Sequence, residues 1–205
     1  MSEIKEARLQ KANSLVSKGF ASYAQSFKVS NTTKFLIQKF DYLENGQEED
    51  FSVSIAGRVM AKRVMGKIAF FTISDQDGQI QLYLDKQIIN LNLEKQKLLS
   101  FEDIKEIVDI GDWIGVYGTI KKTNKGELSI KVEKWEMLSK SLQPLPDKWH
   151  GLTDIEKRYR QRYLDLIVNP HSKNVFKTRA KCISFIRKWL DNRNFLEIET
   201  PILQS

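Results

Sequence analysis

The sequence predicts an α+β protein: a small five-stranded β-barrel with a helical extension before it and a helical segment after it. Three observations carry that expectation. At Phe51 the apolar spacing changes from helical to alternating. Five alternating runs follow, three before a helical stretch and two after it. Past residue 142 the alternation stops and the chain becomes dense in charge and tyrosine. The expected organisation is a helical extension over 1–50, the barrel over 51–141, a linker and connecting helix over 142–172, and a long helix with a short strand over 173–205.

Each element has its own signal. Residues 3 to 18 carry Ile4, Leu9, Ala12, Leu15 and Val16 near one helical face, and Gly19 is a natural stop. A short helix is expected over Thr33 to Phe40, and ENGQEED, 44 to 50, reads as an acidic turn. The first strand puts Phe51, Val53, Ile55, Gly57, Val59 and Ala61 on one face. Ser52, Ser54, Arg58, Met60 and Lys62 take the other. In the second, Ala69, Phe71 and Ile73 oppose Ile68, Phe70 and Thr72; in the third, Ile80, Leu82 and Leu84 oppose Gln79, Gln81 and Tyr83. DQDG at 75–78 is the turn between them.

Residues 92 to 108 have helical spacing at Leu98, Phe101, Ile104 and Val108. Ile114, Val116, Gly118 and Ile120 mark the fourth strand and Leu128, Ile130 and Val132 the fifth, joined by the hairpin signal TNKG at 123–126. Three strands, a helix and two strands is the order of a Greek-key barrel of the oligonucleotide-binding type (OB-fold), though other small β folds share it. LQPLPDKWHG at 142–151 reads as a linker. Thr153 or Asp154 is the expected cap of the next helix, 173–193 a long helix apolar on two sides, and NFLEIETPIL at 194–203 a short strand closed by Pro201.

Composition narrows the partners. The chain has 205 residues, 41% of them hydrophobic and 29% charged, enough to bury a sizeable core. A formal net charge of +7 points to an acidic partner such as RNA or DNA, or to a solvated basic surface. The one cysteine, Cys182, allows no disulfide within the chain and suits a reducing compartment. No apolar run resembles a signal peptide or approaches a membrane-spanning length, so a cytoplasmic location with no membrane partner is expected. His150 and His171 lie in loop-like contexts and no zinc-site spacing occurs.

The informative position is Phe70. If Phe71 enters the core, Phe70 points outward, where its ring either stacks on an unpaired base or is covered by other parts of the chain. Gln81, Glu127 and Phe70 converge on the outer face if the barrel closes as expected. Gln81 offers a donor and an acceptor to a base edge; Glu127 accepts only. Arg58, Lys62, Arg63 and Lys67 surround the first hairpin and can hold phosphates.

Three separated blocks then complete the picture. AGRVMAKRVMGKIAFFTISDQDGQIQLYL (56–84), GELSIKVEKWEMLSKSLQPLPDKWHGL (126–152) and EKRYRQRYLDL (156–166) resemble, in order, bacterial-type lysyl-tRNA synthetases. These are class II enzymes with an N-terminal anticodon-binding OB-fold, and the resemblance runs from about residue 8 to the end. It implies that Phe70 stacks on the central anticodon base, a uridine, that Gln81 reads the same base, and that Glu127 and Arg63 contribute. NFLEIETPIL resembles motif 1 of the class. There the preceding helix and the proline, here Pro201, form a homodimer interface, with Phe185 and Trp189 on the apolar helix.

The two later class II motifs, which build the ATP and amino-acid site, have no counterpart in the sequence. The resemblance therefore implies ATP and Mg²⁺ for the complete enzyme, none for this chain, no catalytic residue here, and an inactive fragment. Asp165 and the acidic ETP stretch are better read as partners of nearby arginines than as catalytic carboxylates. Two other readings stay open: a stand-alone tRNA-binding module, and a relative of the aspartyl or asparaginyl enzymes, which share the barrel and a YRYLDL-like stretch.

Overall fold

The computed structural model describes residues 3–91, 93, 98–146 and 152–202. Two compact units divide between Pro144 and Leu145. The first opens with α1 (Glu3–Ser17), ended by Gly19 at φ 80°. Only Ala12 and Leu15 of its expected face are buried; Ile4, Leu9 and Val16 are exposed. Charge explains the difference. Lys11 Nζ donates to Asp109 Oδ1 at 2.6 Å and Arg8 donates to the carbonyls of Ser141 and Gln143, so polar bonds as well as apolar contact seat this helix. Helix α2 (Thr33–Lys39) is capped by the Thr32 side chain, which accepts from the Phe35 amide.

The five strands are β1 (Glu48–Met65), β2 (Ile68–Ser74), β3 (Gln79–Asp85), β4 (Trp113–Lys122) and β5 (Leu128–Ser139). They close into a barrel in the order β1-β2-β3-β5-β4, with only the β3–β5 pair parallel. The expected inward residues form the core: Val53, Ile55, Val59, Phe71, Ile73, Leu82, Leu84, Val116, Ile120, Ile130 and Val132 are all buried. Gly118 is required by packing, because a side-chain carbon there would collide with the carbonyl of Lys131.

Two expectations for β1 are corrected. The strand starts at Glu48, inside the stretch read as an acidic turn, because Glu48 and Glu49 pair with Lys121 and Ile120 of β4. A register shift between Val59 and Ala61 also reverses the alternation. Ala61 now pairs with outward Thr72, and Lys62 with inward Phe71. Lys62 therefore leaves the outer face on which simple alternation had put it.

Of the helical stretch expected over 92–108, the helix formed by the described residues is α4 (Phe101–Ile107); a separate short helix, α3 (Lys86–Leu91), precedes the stretch. Ser100 and Asp103 form a reciprocal capping box that starts α4 at Phe101, which no helix continuing from residue 92 could allow. Residues 92 and 94–97 of that expectation lie outside the described residues, as do 147–151 of the linker and His150. Beyond the fold of the barrel strands, Lys140 is fully buried and donates to Asp112 Oδ2 and Asp109 Oδ2, both at 2.6 Å.

The second unit holds α5 (Ile155–Arg160), α6 (Arg162–Val168) and α7 (Pro170–Asp191). Asp154 caps α5, accepting from the Lys157 amide at 3.0 Å. Pro170 opens α7 three residues earlier than expected, and this places His171 in the first helical turn rather than in a loop. The strand expected at 194–203 forms no ladder among its described residues, 194–202. A strand needs a partner edge, and Phe195, Leu196 and Ile198 stand exposed instead.

Candidate nucleic-acid interface

Cross-strand register lines up the outer face in two adjacent rows. One runs Ala61, Thr72, Gln81, Ser129, Lys121, Glu48, each paired with the next across neighbouring strands. The other runs Arg63, Phe70, Tyr83, Lys131, Thr119. Above them lies a groove of about 670 Å³, walled on the far side by the β4–β5 hairpin residues Thr123, Asn124, Lys125 and Glu127.

Phe70 is outward and half-buried, as alternation predicted, while Phe71 is fully enclosed. The ring of Phe70 meets Tyr83 edge-on, with centroids 5.6 Å apart and planes at 64°. Tyr83 thus packs against Phe70 on the outer face, and both rings border the groove. Tyr83 was visible as outward in the sequence, but nothing there set it beside Phe70. Its hydroxyl donates to Asp85 Oδ2 at 3.3 Å, and burial, with Asp85 beside it, raises the phenol above its usual range.

Gln81 is oriented by a residue that no sequence pattern singled out. Ser129, fully buried, donates its hydroxyl to Gln81 Oε1 at 2.8 Å. With that oxygen engaged, the amide N–H groups of Gln81 are the ones offered to the groove, and they suit a carbonyl on a base edge. Glu127 is exposed at the rim, its amide donating to Thr123 Oγ1 at 3.1 Å. Gly126 at φ 87° makes the turn that puts it there.

The basic residues divide. Arg63 pairs with Phe70 in the sheet, is exposed, and its side chain makes no hydrogen bond or ion pair among the described residues. Lys62 borders the groove with its chain, yet its ammonium donates to the carbonyls of Lys105 and Val108, both at 2.6 Å, and burial lowers its proton affinity. It closes the C-terminal end of α4. Arg58 does not border the groove. Its guanidinium donates to the Gly111 carbonyl at 2.7 Å and lies over Trp113, with burial again lowering its pKa. In their place the closed barrel brings Lys121 and Lys125 to the groove.

In the second unit the RYRQRYLDL block is a polar staple. Asp165, fully buried, accepts from Arg158 Nε at 2.9 Å, Asn169 Nδ2 at 2.7 Å, Ser172 Oγ at 3.1 Å and Arg162. Burial alone would raise its pKa; those four hydrogen bonds outweigh it and bring it down to about 2. Asp165 is thus paired with arginines, as expected. Phe185 and Trp189 of α7 are 68% and 45% exposed, and Pro201 is exposed beyond it. Among the described residues no three His, Cys, Asp or Glu side chains gather as a metal site would need, and no helix is long and apolar enough to cross a membrane.

Comparison with known proteins agrees with this geometry. Residues 53–138 match the family model for the OB-fold nucleic acid binding domain, and residues 154–205 that for class II tRNA synthetases (D, K and N). Over all 205 residues the chain is 96% identical to the lysine–tRNA ligase of Prochlorococcus marinus (strain MIT 9301). Along its whole length the chain is thus similar to lysine–tRNA ligases. It is 80% identical to the lysine–tRNA ligase of P. marinus (strain MIT 9515) and 56% to that of Synechococcus sp. (strain RCC307), again over its whole length. The chain spans about 40% of the length of these curated relatives. Its groove is the outer face of the OB-fold, and its Asp165 staple belongs to the class II match.

Proposed function

We propose that this chain is the tRNA-recognition part of a lysine–tRNA ligase and that the groove reads the anticodon of tRNA(Lys). The central uridine stacks on Phe70. Gln81, held by Ser129, donates to a uracil carbonyl, and Glu127 accepts from a base N–H. Arg63 holds a backbone phosphate. The observation that carries this reading is the alignment of Arg63, Phe70 and Tyr83 beside Thr72, Gln81 and Ser129 under one groove.

The complete cytoplasmic enzyme would join lysine to tRNA using ATP and Mg²⁺. No step of that chemistry is assigned to the described residues. The apolar side of α7, with Phe185, Trp189 and Pro201, would supply part of a homodimer interface.

Titration of an anticodon stem-loop of tRNA(Lys) tests the reading. Phe70→Ala should weaken binding by about 1–3 kcal/mol while the barrel keeps its stability. A cytidine at the central position should weaken wild-type binding. Equal affinity of wild type and Phe70→Ala would remove the stacking role and the reading with it.

A further inference from the structure

We propose that Glu48, a residue outside the groove lining, sets how strongly the groove holds RNA backbone by competing with phosphate for Lys121 and Lys131. The inference rests on the RNA-binding function proposed above. Its basis is a single carboxylate shared between two lysines. Lys121 Nζ lies 2.7 Å from Glu48 Oε1, and Lys131 Nζ lies 2.5 Å from Glu48 Oε2.

Both lysines belong to the two rows that carry the candidate base contacts. Lys121 lies in the row of Gln81 and Ser129, borders the groove, and stands 4.8 Å over the ring of Tyr83. Lys131 pairs with Tyr83, which in turn pairs with Phe70. A nucleotide stacked on Phe70 would thus bring its phosphate toward two ammonium groups already engaged. The trio carries one net positive charge where the lysines alone would carry two. Hydrogen bonds from Lys121 and then Lys131 hold the Glu48 carboxyl below its usual range, so the competitor is charged at neutral pH.

The physical consequence concerns what RNA affinity is made of. Phosphate contacts are independent of base sequence and depend on salt. An internal carboxylate that occupies two lysines subtracts from that term and leaves stacking and base-edge contacts untouched. Glu48 is a positioning residue in this sense: it acts through the lysines and touches no base.

Glu48→Gln keeps the shape and removes the charge. Stem-loop affinity at low salt should rise several-fold, and the slope of log affinity against log salt should steepen by about 0.7 for each lysine released. In a Lys121→Gln, Lys131→Gln background the same substitution should give no gain. Thermal melting of each variant separates these effects from loss of fold. Unchanged or weaker binding by a folded Glu48→Gln protein overturns the inference, because the carboxylate then only braces the lysines. If Phe70→Ala weakens binding but Glu48→Gln does not tighten it, the competitor role falls and the anticodon reading stands. If Glu48→Gln tightens binding while Phe70→Ala has no effect, the reverse holds. A wild-type chain that binds no stem-loop removes both.

Discussion

The two units differ in what they bury. The barrel unit encloses a continuous apolar core from Leu15 and Leu36 through the five strands to Trp135 and Met137. In the second unit the fully buried residues, among those described, are Asp165 and Ser172, both polar. All the large apolar side chains of α7 stand exposed. The same chemistry has opposite outcomes. Strands that alternate inside a closed barrel find their own apolar partners, whereas a helix apolar on two sides has more surface than its own short unit can cover. The first unit is held by hydrocarbon, and the second by a charged knot around one carboxylate.

Truncating the cores tests that contrast most severely. Phe71→Ala should destabilise the barrel by about 3–5 kcal/mol in urea unfolding, since it empties a site with no solvent access. Trp189→Ser, in an exposed position, should change stability by about 0.5 kcal/mol or less. A comparable loss in both variants would mean that α7 is covered after all.

Acid should act next, and on the second unit through its knot. The folded pKa of Asp165 lies at about 2, below its ordinary 3.8. Its contribution is therefore complete above the ordinary value and is lost as pH falls from there toward 2. Amide-exchange protection of residues 162–169 should fall across that window. Asp165→Asn should abolish this pH step; a step of undiminished size in Asp165→Asn would assign it to other carboxylates.

A smaller effect than the loss of the barrel core falls at the groove. Ser129→Ala frees Gln81 Oε1 and should cost about 0.5–1.5 kcal/mol of uridine-over-cytidine preference at the central anticodon position, with Ser129→Thr restoring part of it. Binding of the two stem-loops by fluorescence anisotropy reads this directly. Undiminished preference in Ser129→Ala would show that Gln81 needs no support from the barrel to choose its orientation.

Much of the barrel was legible because period-two alternation is strong and local. The inward sets of β2, β3 and β4 and the outward position of Phe70 needed nothing beyond the strands themselves. The failures have local causes of another kind. A bulge after Val59 moved Lys62 inward, a capping box cut the helical stretch at Ser100, and the segment after α7 had no edge to pair with. Apolar spacing records none of these, because a bulge adds a residue without changing composition and a cap is made by polar side chains.

By itself the sequence determined which side of β2, β3 and β4 faces the core, where the turns at 75–78 and 123–126 lie, and that Phe70 and Gln81 look outward. Only the tertiary structure decided which outward residues stand together. Glu48 meets Lys121, Ser129 meets Gln81, and Tyr83 meets Phe70 through the β1–β4, β3–β5 and β2–β3 pairings. Alternation fixes parity within one strand, but register between strands is set by packing and closure of the whole barrel, and a groove is a property of register.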